Sequence, residues 1–238
     1  MNTQLKSKLE DTLNNFNFCS GIRLEDLPIK ERIELEQDTE TIKLNKKGIL
    51  YSEGDAPKGV YILQKGKIKC TQLNFDGTVQ ILFIFSAGDM FGHRAILSQD
   101  KHVVSAVALE ECELLYIERD NFLSVLNNSS ALSSLLLQSV CHEYNVLANR
   151  ISIFAQKSIR ERLAFFLLIL NEKYKAPGQT NEDSEIRVNR SDLASYIGTS
   201  LENLVRTLKD FKTKCLIRTD GKSIFINDFD ALYSMTGI

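Results

Sequence analysis

Charge of one sign is what this sequence most plainly lacks: 29 Lys and Arg stand against 31 Asp and Glu, a formal charge of −2 over 238 residues. No global field drives such a chain onto DNA or an anionic membrane, so any nucleic-acid contact has to come from a local patch. Paired cysteines are missing as well. Cys19, Cys70, Cys112, Cys141 and Cys215 are scattered without a Cys-x-x-Cys, which argues against a zinc ribbon, a thioredoxin-like site or a disulfide framework and leads us to expect buried free thiols in a reducing compartment. The three histidines, His93, His102 and His142, form no clustered His/Glu ligand motif. A metal-dependent enzyme of the cupin type is therefore disfavoured, and no catalytic or metal site is expected. Long apolar runs are absent too, since the densest, Leu163 to Leu170, is too short for a membrane span and is flanked by charge. The opening MNTQLKSKLEDTLNNF has no apolar h-region or small-residue cleavage site, and Glu10 and Asp11 oppose a transit peptide. A cytoplasmic protein with no membrane partner is the expectation.

The length fits two ordinary domains or one large one. Leu5, Leu9, Leu13 and Phe16 fall at helical spacing, which predicts a short amphipathic helix over residues 1–17. From about residue 38 to 117, short runs rich in Val, Ile, Tyr and Phe alternate with Gly54-Asp55, Lys65-Gly66, Asp76-Gly77, Gly88-Asp89 and Gly92, the texture of an antiparallel roll or barrel. Asn74-Phe75-Asp76-Gly77 reads as a hairpin turn, because Asp-Gly readily supplies positive φ. After about Glu118 the period lengthens. Leu136, Val140, Tyr144, Leu147, Ile151 and Phe154 describe an apolar stripe on a helix of some twenty-five residues, widened by Leu132, Leu135 and Val146. Two readings of that stripe stand: a parallel dimer seam, or one helix covering the roll. Lys157 to Tyr174 continues as a second helix, and APGQTNEDSE reads as an exposed loop.

The densest set of signals runs from Val188 to Lys209. Asn189 caps a first helix, with Asp192 completing a capping-box-like pair; Leu193 and Ile197 are its buried face, Ala194 is small where a second helix passes, and Gly198 ends it. Ser200 then caps a second helix whose Leu204, Leu208 and Phe211 face inward, leaving Glu202, Asn203, Arg206, Lys209 and Asp210 outward. This is the layout of a helix-turn-helix, whose second helix enters the major groove by its N-terminal end. Arg206 there is suited to guanine O6 and N7 and Glu202 to cytosine N4, and their spacing also allows the two to pair with each other. LIRTDGKSIFIND follows as two strands joined through Thr219-Asp220-Gly221-Lys222, a wing with an Asp-Gly turn. Lys209, Lys212, Lys214, Arg218 and Lys222 gather in this small region and supply a local positive patch for phosphates.

From about Lys43 to Phe229 the chain resembles the Crp/Fnr family, the cyclic-AMP-receptor-like transcription regulators of bacteria. The resemblance rests on YSEGDAPKGVYILQKGKIK and FSAGDMFG in the roll, SAVALEECELLYI at its end, and Arg190, Glu202 and Arg206 in the DNA-reading half. It implies an α+β protein: an antiparallel β-roll (double-stranded β-helix) over 1–127, a dimerisation helix over 128–156 carrying Leu136, Val140, Tyr144, Leu147 and Ile151, and a winged helix-turn-helix over 157–238. It further implies a homodimer reading a palindromic site in double-stranded DNA, with RNA polymerase a candidate partner. Glu202 and Arg206 would read bases, while Arg190, Thr199, Ser200, Asn203, Lys209 and Lys222 would position the protein or hold phosphates.

The effector pocket implied by the family falls on Phe91, Gly92, His93, Arg94, His102 and Val103, and there the chain departs from the pattern. Where cyclic-nucleotide binders carry Gly-Glu for the ribose and Arg-Ser or Arg-Thr for the phosphate, this sequence has Gly92-His93 and His102-Val103. Neutral histidines replace neither the acceptor nor the bidentate cation. A fold does not carry its usual ligand with it, so no cofactor or effector is assigned. Imidazoles at this place point either to a metal- or haem-binding site titrating near neutral pH or to the filling of a remodelled pocket. The family's N-terminal cysteine cluster is absent, only Cys19 lying in that part of the chain. The other functional class is an effector-binding module acting through protein contacts, and an absence of DNA selection would favour it.

Overall fold

The computed structural model describes residues 15–17, 22–37, 39–175 and 183–237. Leu5, Leu9, Leu13 and Cys19 lie outside the described residues, as does most of the APGQTNEDSE segment. The chain divides into two compact units, Phe18–Tyr144 and Asn145–Ile238, with Asn15, Phe16 and Asn17 belonging to the second.

In the first unit a helix α1 (Ile29–Glu36) leads into strands β1 (Glu40–Leu44), β2 (Ile49–Tyr51), β3 (Gly59–Lys65), β4 (Ile68–Leu73), β5 (Val79–Phe85) and β6 (Met90–Phe91). A short helix α2 (His93–Leu97) and strands β7 (Ser105–Ala108) and β8 (Cys112–Glu118) complete the roll. Two four-stranded antiparallel sheets result, in the orders β1-β8-β3-β6 and β2-β7-β4-β5. Phe85 of one sheet stacks on Phe91 of the other at 4.5 Å, and Phe91 on Tyr61 at 5.8 Å, so aromatic side chains fill the space between them. Each buried ring contributes about 1.5–3 kcal/mol relative to exposure. The hairpin turn falls where the sequence places it: β4 and β5 pair up to Leu73 and Val79, and Gly77 takes φ 80°. Gly66 is needed twice over, for its φ of 92° and because a Cβ there would stand 2.5 Å from the Glu111 carbonyl.

Helix α3 (Arg119–Asn128) follows, its first turn capped by the Glu118 carboxylate on the amides of Asp120 and Asn121. It packs Phe122 and Val125 against Val60, Met90 and Ile117 of the roll and against Leu132 and Leu136 of the next helix. That next helix, α4 (Ser130–Gln156), is 27 residues long. Its buried positions are Leu132, Leu136, Ser139, Glu143, Val146, Arg150 and Ile153. Leu137, Val140, Tyr144 and Ile151 form a separate, exposed apolar line, Tyr144 being 71% and Ile151 68% exposed. Leu136 therefore turns inward and Leu137 takes its outward place, an assignment that a hydrophobic stripe spread over neighbouring positions leaves ambiguous by one residue.

In the second unit α5 (Ile159–Tyr174) starts with a reciprocal capping box between Ser158 and Glu161 and is buried continuously from Leu163 to Asn171. A helix apolar on all sides is a core helix. Around it lie α6 (Arg190–Ile197), α7 (Leu201–Thr213), α8 (Phe229–Thr236) and a sheet of β9 (Ile186–Arg187), β10 (Ile217–Asp220) and β11 (Ser223–Ile226) in the order β10-β11-β9. The ring of Phe16 meets Phe165 edge-on at 4.7 Å. Arg150 is buried with its guanidinium 4.9 Å from the Phe166 ring and 4.8 Å from the Tyr196 ring, so aromatic faces take the place of part of its hydration.

The thiols divide. Cys70 and Cys112 are buried and free as expected, burial pushing the Cys70 thiol up to about 12. Cys141 and Cys215 are exposed, contrary to the reading of all five as buried: Cys141 is on an outward position of α4 and Cys215 in the turn between α7 and β10.

Candidate nucleic-acid interface and roll cavity

The helix-turn-helix is built by three local devices. Asn189 accepts the Asp192 amide at 2.7 Å while its own amide group donates to the Asp192 carboxylate at 2.6 Å, which starts α6. Gly198 stops it at φ 68°, where a side chain would be strained and a Cβ would crowd the Phe154 ring at 3.0 Å. Ser200 accepts the Asn203 amide at 3.2 Å and starts α7. Each such cap contributes about 1 kcal/mol. The Thr199 amide closes the turn on the Ala194 carbonyl at 3.0 Å.

Leu204, Thr207, Leu208 and Phe211 of α7 are buried, so the helix can present only its other face: Leu201, Glu202, Val205, Arg206 and Lys209 are exposed and Asn203 half-buried. Arg206 donates to the Asn203 side-chain oxygen at 2.7 Å. The pairing with Glu202 that the spacing also allowed is not the contact Arg206 makes, and Glu202 is exposed beside it. The wing is present, with Asp220 pairing Ser223, so its turn residues are Gly221 and Lys222 rather than Asp220-Gly221. Gly221 at φ 52° occupies the position where a two-residue hairpin of this kind takes glycine. Lys222 is exposed at its tip.

The basic residues have separate fates. Arg190 donates from its guanidinium to the carbonyls of Lys222 and Gly221, both at 3.3 Å, so it clasps the wing turn to the start of α6. Arg218 lies 3.6 Å over the Phe225 ring, and Lys214 pairs with Asp210 at 3.3 Å. Lys209 and Lys212 line, with Arg190, Val205 and Thr219, a groove of about 310 Å³ between α7 and the wing.

In the roll unit a cavity of about 810 Å³ lies between α2, the segment after it, and the start of α4. Gly92, Arg94, His102 and Val103 line it, as do Tyr51, Leu137 and Val140. Phe91 and His93 do not. His93 is wholly buried behind the wall, where burial and the neighbouring Arg94 lower its pKa to about 3, so it is neutral at physiological pH and does not titrate near neutrality. His102 stacks on Tyr51 at 3.8 Å, and burial lowers its pKa as well. Behind the same wall Glu143 of α4 reaches Arg94 at 3.4 Å and approaches His93 at 3.8 Å. Burial raises the Glu143 pKa, Arg94 lowers it and Asp89 raises it. Among the described residues, no group of three or more His, Cys, Asp or Glu is placed to hold a metal ion, and no helix is long and apolar enough to cross a membrane.

A capped helix-turn-helix with a wing, preceded by a β-roll and a long helix, is the layout of a DNA-binding regulator. Comparison with known proteins agrees. Residues 41–129 match the family model of the cyclic nucleotide-binding domain and residues 161–235 that of the Crp-like helix-turn-helix domain. The regulatory protein HlyX of Actinobacillus pleuropneumoniae is 29% identical over 79% of this chain and 78% of its own length. The fumarate and nitrate reduction regulatory protein of Salmonella typhimurium is 28% identical over 86% and 82%. FixK2 from Bradyrhizobium japonicum shares the fold with a TM-score of 0.71 at 20% identity, covering 83% of this chain and 97% of that one. The chain belongs to the Crp/Fnr family of DNA-binding transcription regulators.

Sequence reasoning missed Glu143 and Arg150, the two buried charges of α4. The signal was available: both lie in register with Leu132, Leu136, Val146 and Ile153 at steps of three and four, so the inward face predicted by those apolar residues includes them. Strand β9, only two residues long, carried no such signal.

Proposed function

We propose that this protein is a cytoplasmic homodimer that reads a palindromic site in double-stranded DNA, Glu202 and Arg206 contacting base edges while Thr199, Ser200, Asn203, Lys209 and Lys222 position the helix on the backbone. The observation that carries this reading is the outward face of α7, where an arginine held by Asn203 stands one turn after a carboxylate at the end of the helix that enters a groove. Arg190 serves by fixing the wing. RNA polymerase is the partner whose access to a promoter such binding would alter. Of the described residues, 22–127 form the sensor, 128–156 the pairing helix and 157–237 the reader, on which Phe16 also packs. The reading is tested by selecting sites from random duplexes with the full chain: an inverted repeat with half-sites about one helical turn apart is expected, and failure to enrich any sequence would refute it.

Replacing Lys222 by alanine is expected to weaken binding to all duplexes alike and to lower the salt slope by about one counterion per protomer, read from titrations at several ionic strengths.

The exposed line Leu137, Val140, Tyr144 and Ile151, continued by the half-buried Leu147, steps by three and four and supports α4 as the seam of a parallel pair. Tyr144→Glu would set like charges against each other across it. Sedimentation should then show a monomer at micromolar concentration where the parent chain is a dimer. The cavity beside this line supports control by a ligand, and because His93 and His102 stand where the family's cyclic-nucleotide binders carry an acid and an arginine, that ligand is other than a cyclic nucleotide.

A further inference from the structure

Near the end of the long helix α4 lies a buried cation that the reading of DNA does not use. Arg150 is 4% exposed, and rings from three elements of the second unit surround its guanidinium: Phe154 of α4 at 5.9 Å, Phe166 of α5 at 4.9 Å and Tyr196 of α6 at 4.8 Å. The rings also meet one another, Phe154 with Phe166 at 5.7 Å and Phe166 with Tyr196 at 4.9 Å. The guanidinium donates to the Tyr196 hydroxyl, and burial lowers the Arg150 pKa. Stability alone does not ask for a charge here, since a methionine would fill the space without desolvating one, and exchanging buried ionic groups for apolar ones is often neutral or stabilising. What apolar packing does not supply is direction, because it follows area and not orientation. A planar guanidinium fixes both the ring faces it covers and the hydroxyl it reaches. Tyr196 sits on the first helix of the helix-turn-helix, which carries α7 through the Gly198 turn.

Resting on the DNA-reading dimer proposed above, we infer that Arg150 is a positioning residue: it locks the reader to the end of the pairing helix and so sets the one separation of half-sites that the dimer accepts. One extra base pair between half-sites moves one of them by about 3.4 Å and turns it by about 35°. Readers locked to their helices match a single spacing, whereas unlocked readers follow the half-site over several.

The test uses the half-site selected by the full chain, set as an inverted repeat whose spacer is lengthened or shortened by single base pairs. Affinities are measured by fluorescence anisotropy at one salt concentration, alongside a duplex carrying one half-site. For the parent, a change of one base pair should cost on the order of tenfold. In Arg150→Met that penalty should fall to about threefold or less, with the single half-site bound within about twofold of the parent. Tyr196→Phe keeps the ring and removes only the hydroxyl, so it should relax the penalty partway. An undiminished penalty in Arg150→Met would overturn the assignment, and so would an equal loss at every spacer and at the single half-site, the mark of a merely structural residue. If Arg150→Met does not fold, Tyr196→Phe decides in its place, and an unchanged penalty there overturns it. A parent that accepts every spacer equally also overturns it and leaves sequence reading intact, whereas a parent that selects no sequence removes the DNA-reading role and the positioning role with it.

Discussion

Arg206→Ala is expected to erase most of the preference of the protein for its selected site while leaving its affinity for unrelated DNA nearly unchanged. A bidentate contact between arginine and guanine discriminates against a wrong base by about 1–3 kcal/mol. On the two-fold symmetric site proposed above two copies act, so the variant should lose about 2–6 kcal/mol, on the order of 30- to 10,000-fold in specific affinity. The structure adds a reason for the upper part of that range. The Asn203 oxygen already holds the guanidinium at 2.7 Å, so part of the side-chain entropy of binding is spent before DNA arrives. Asn203→Ala should therefore weaken specific binding as well, by less, without changing which base is preferred. Competition binding with single-base variants of the site separates the two: a loss of discrimination at one base pair for Arg206→Ala, a uniform loss across the specific site for Asn203→Ala. An Arg206→Ala protein that still discriminates at every position would show that Arg206 does not read a base.

The second large effect lies in the roll. Arg94→Ala leaves the Glu143 carboxylate buried beside a neutral His93, without the cation 3.4 Å away. Breaking a buried pair by removing one partner costs about 3–5 kcal/mol, and because Arg94 is about one-third exposed the lower end applies, about 3 kcal/mol. The pH dependence identifies the cause. Burial raises the Glu143 pKa in the folded protein above its ordinary carboxylate value, so the protonated form favours the fold. Its cost is present above the folded pKa and is relieved as pH falls toward the unfolded value. Removing Arg94 raises that pKa further, and it also relaxes the depression of His93, so both groups take up protons more readily in the folded variant. Urea denaturation of the parent and variant should differ by about 3 kcal/mol at pH 7.5, and the gap should close progressively toward pH 5. A gap independent of pH would mean that packing of the Arg94 stem over Phe83, 5.0 Å below its guanidinium, carries the effect instead.

How much of this was legible in the sequence follows from how local each signal is. The roll and its Asp76-Gly77 turn, the caps at Asn189 and Ser200 and the stop at Gly198 are decided by residues within a turn of one another, and all stand where the pattern puts them. The wing turn moved by one residue because glycine satisfies either of two adjacent hairpin registers, and only the pairing of Asp220 with Ser223 chooses between them. The face of α4 was split between two neighbouring leucines for a similar reason: Leu136 and Leu137 are equally apolar, and burial against Phe122 and Val125 selects the first. What lay beyond reach was long-range. That Arg190 would hold carbonyls of a turn some thirty residues later, or that Glu143 would meet Arg94, is written in no local period.

The clasp of Arg190 on the wing turn has a further consequence for the energetics of occupancy. Arg190 is committed to backbone carbonyls, Arg206 to Asn203, Lys214 to Asp210 and Arg218 to an aromatic ring, which reduces the basic cluster of the reader to a short roster of uncommitted cations: Lys209, Lys212 and Lys222. Few ions are then displaced per copy, and a solitary reader has little hold on a polyanion at physiological salt. Tethering two readers makes the second engagement intramolecular at a high effective concentration. Promoter occupancy should accordingly climb more steeply than first power in total protein wherever the pairing of α4 is incomplete, so that the cellular abundance of this regulator becomes an input in its own right.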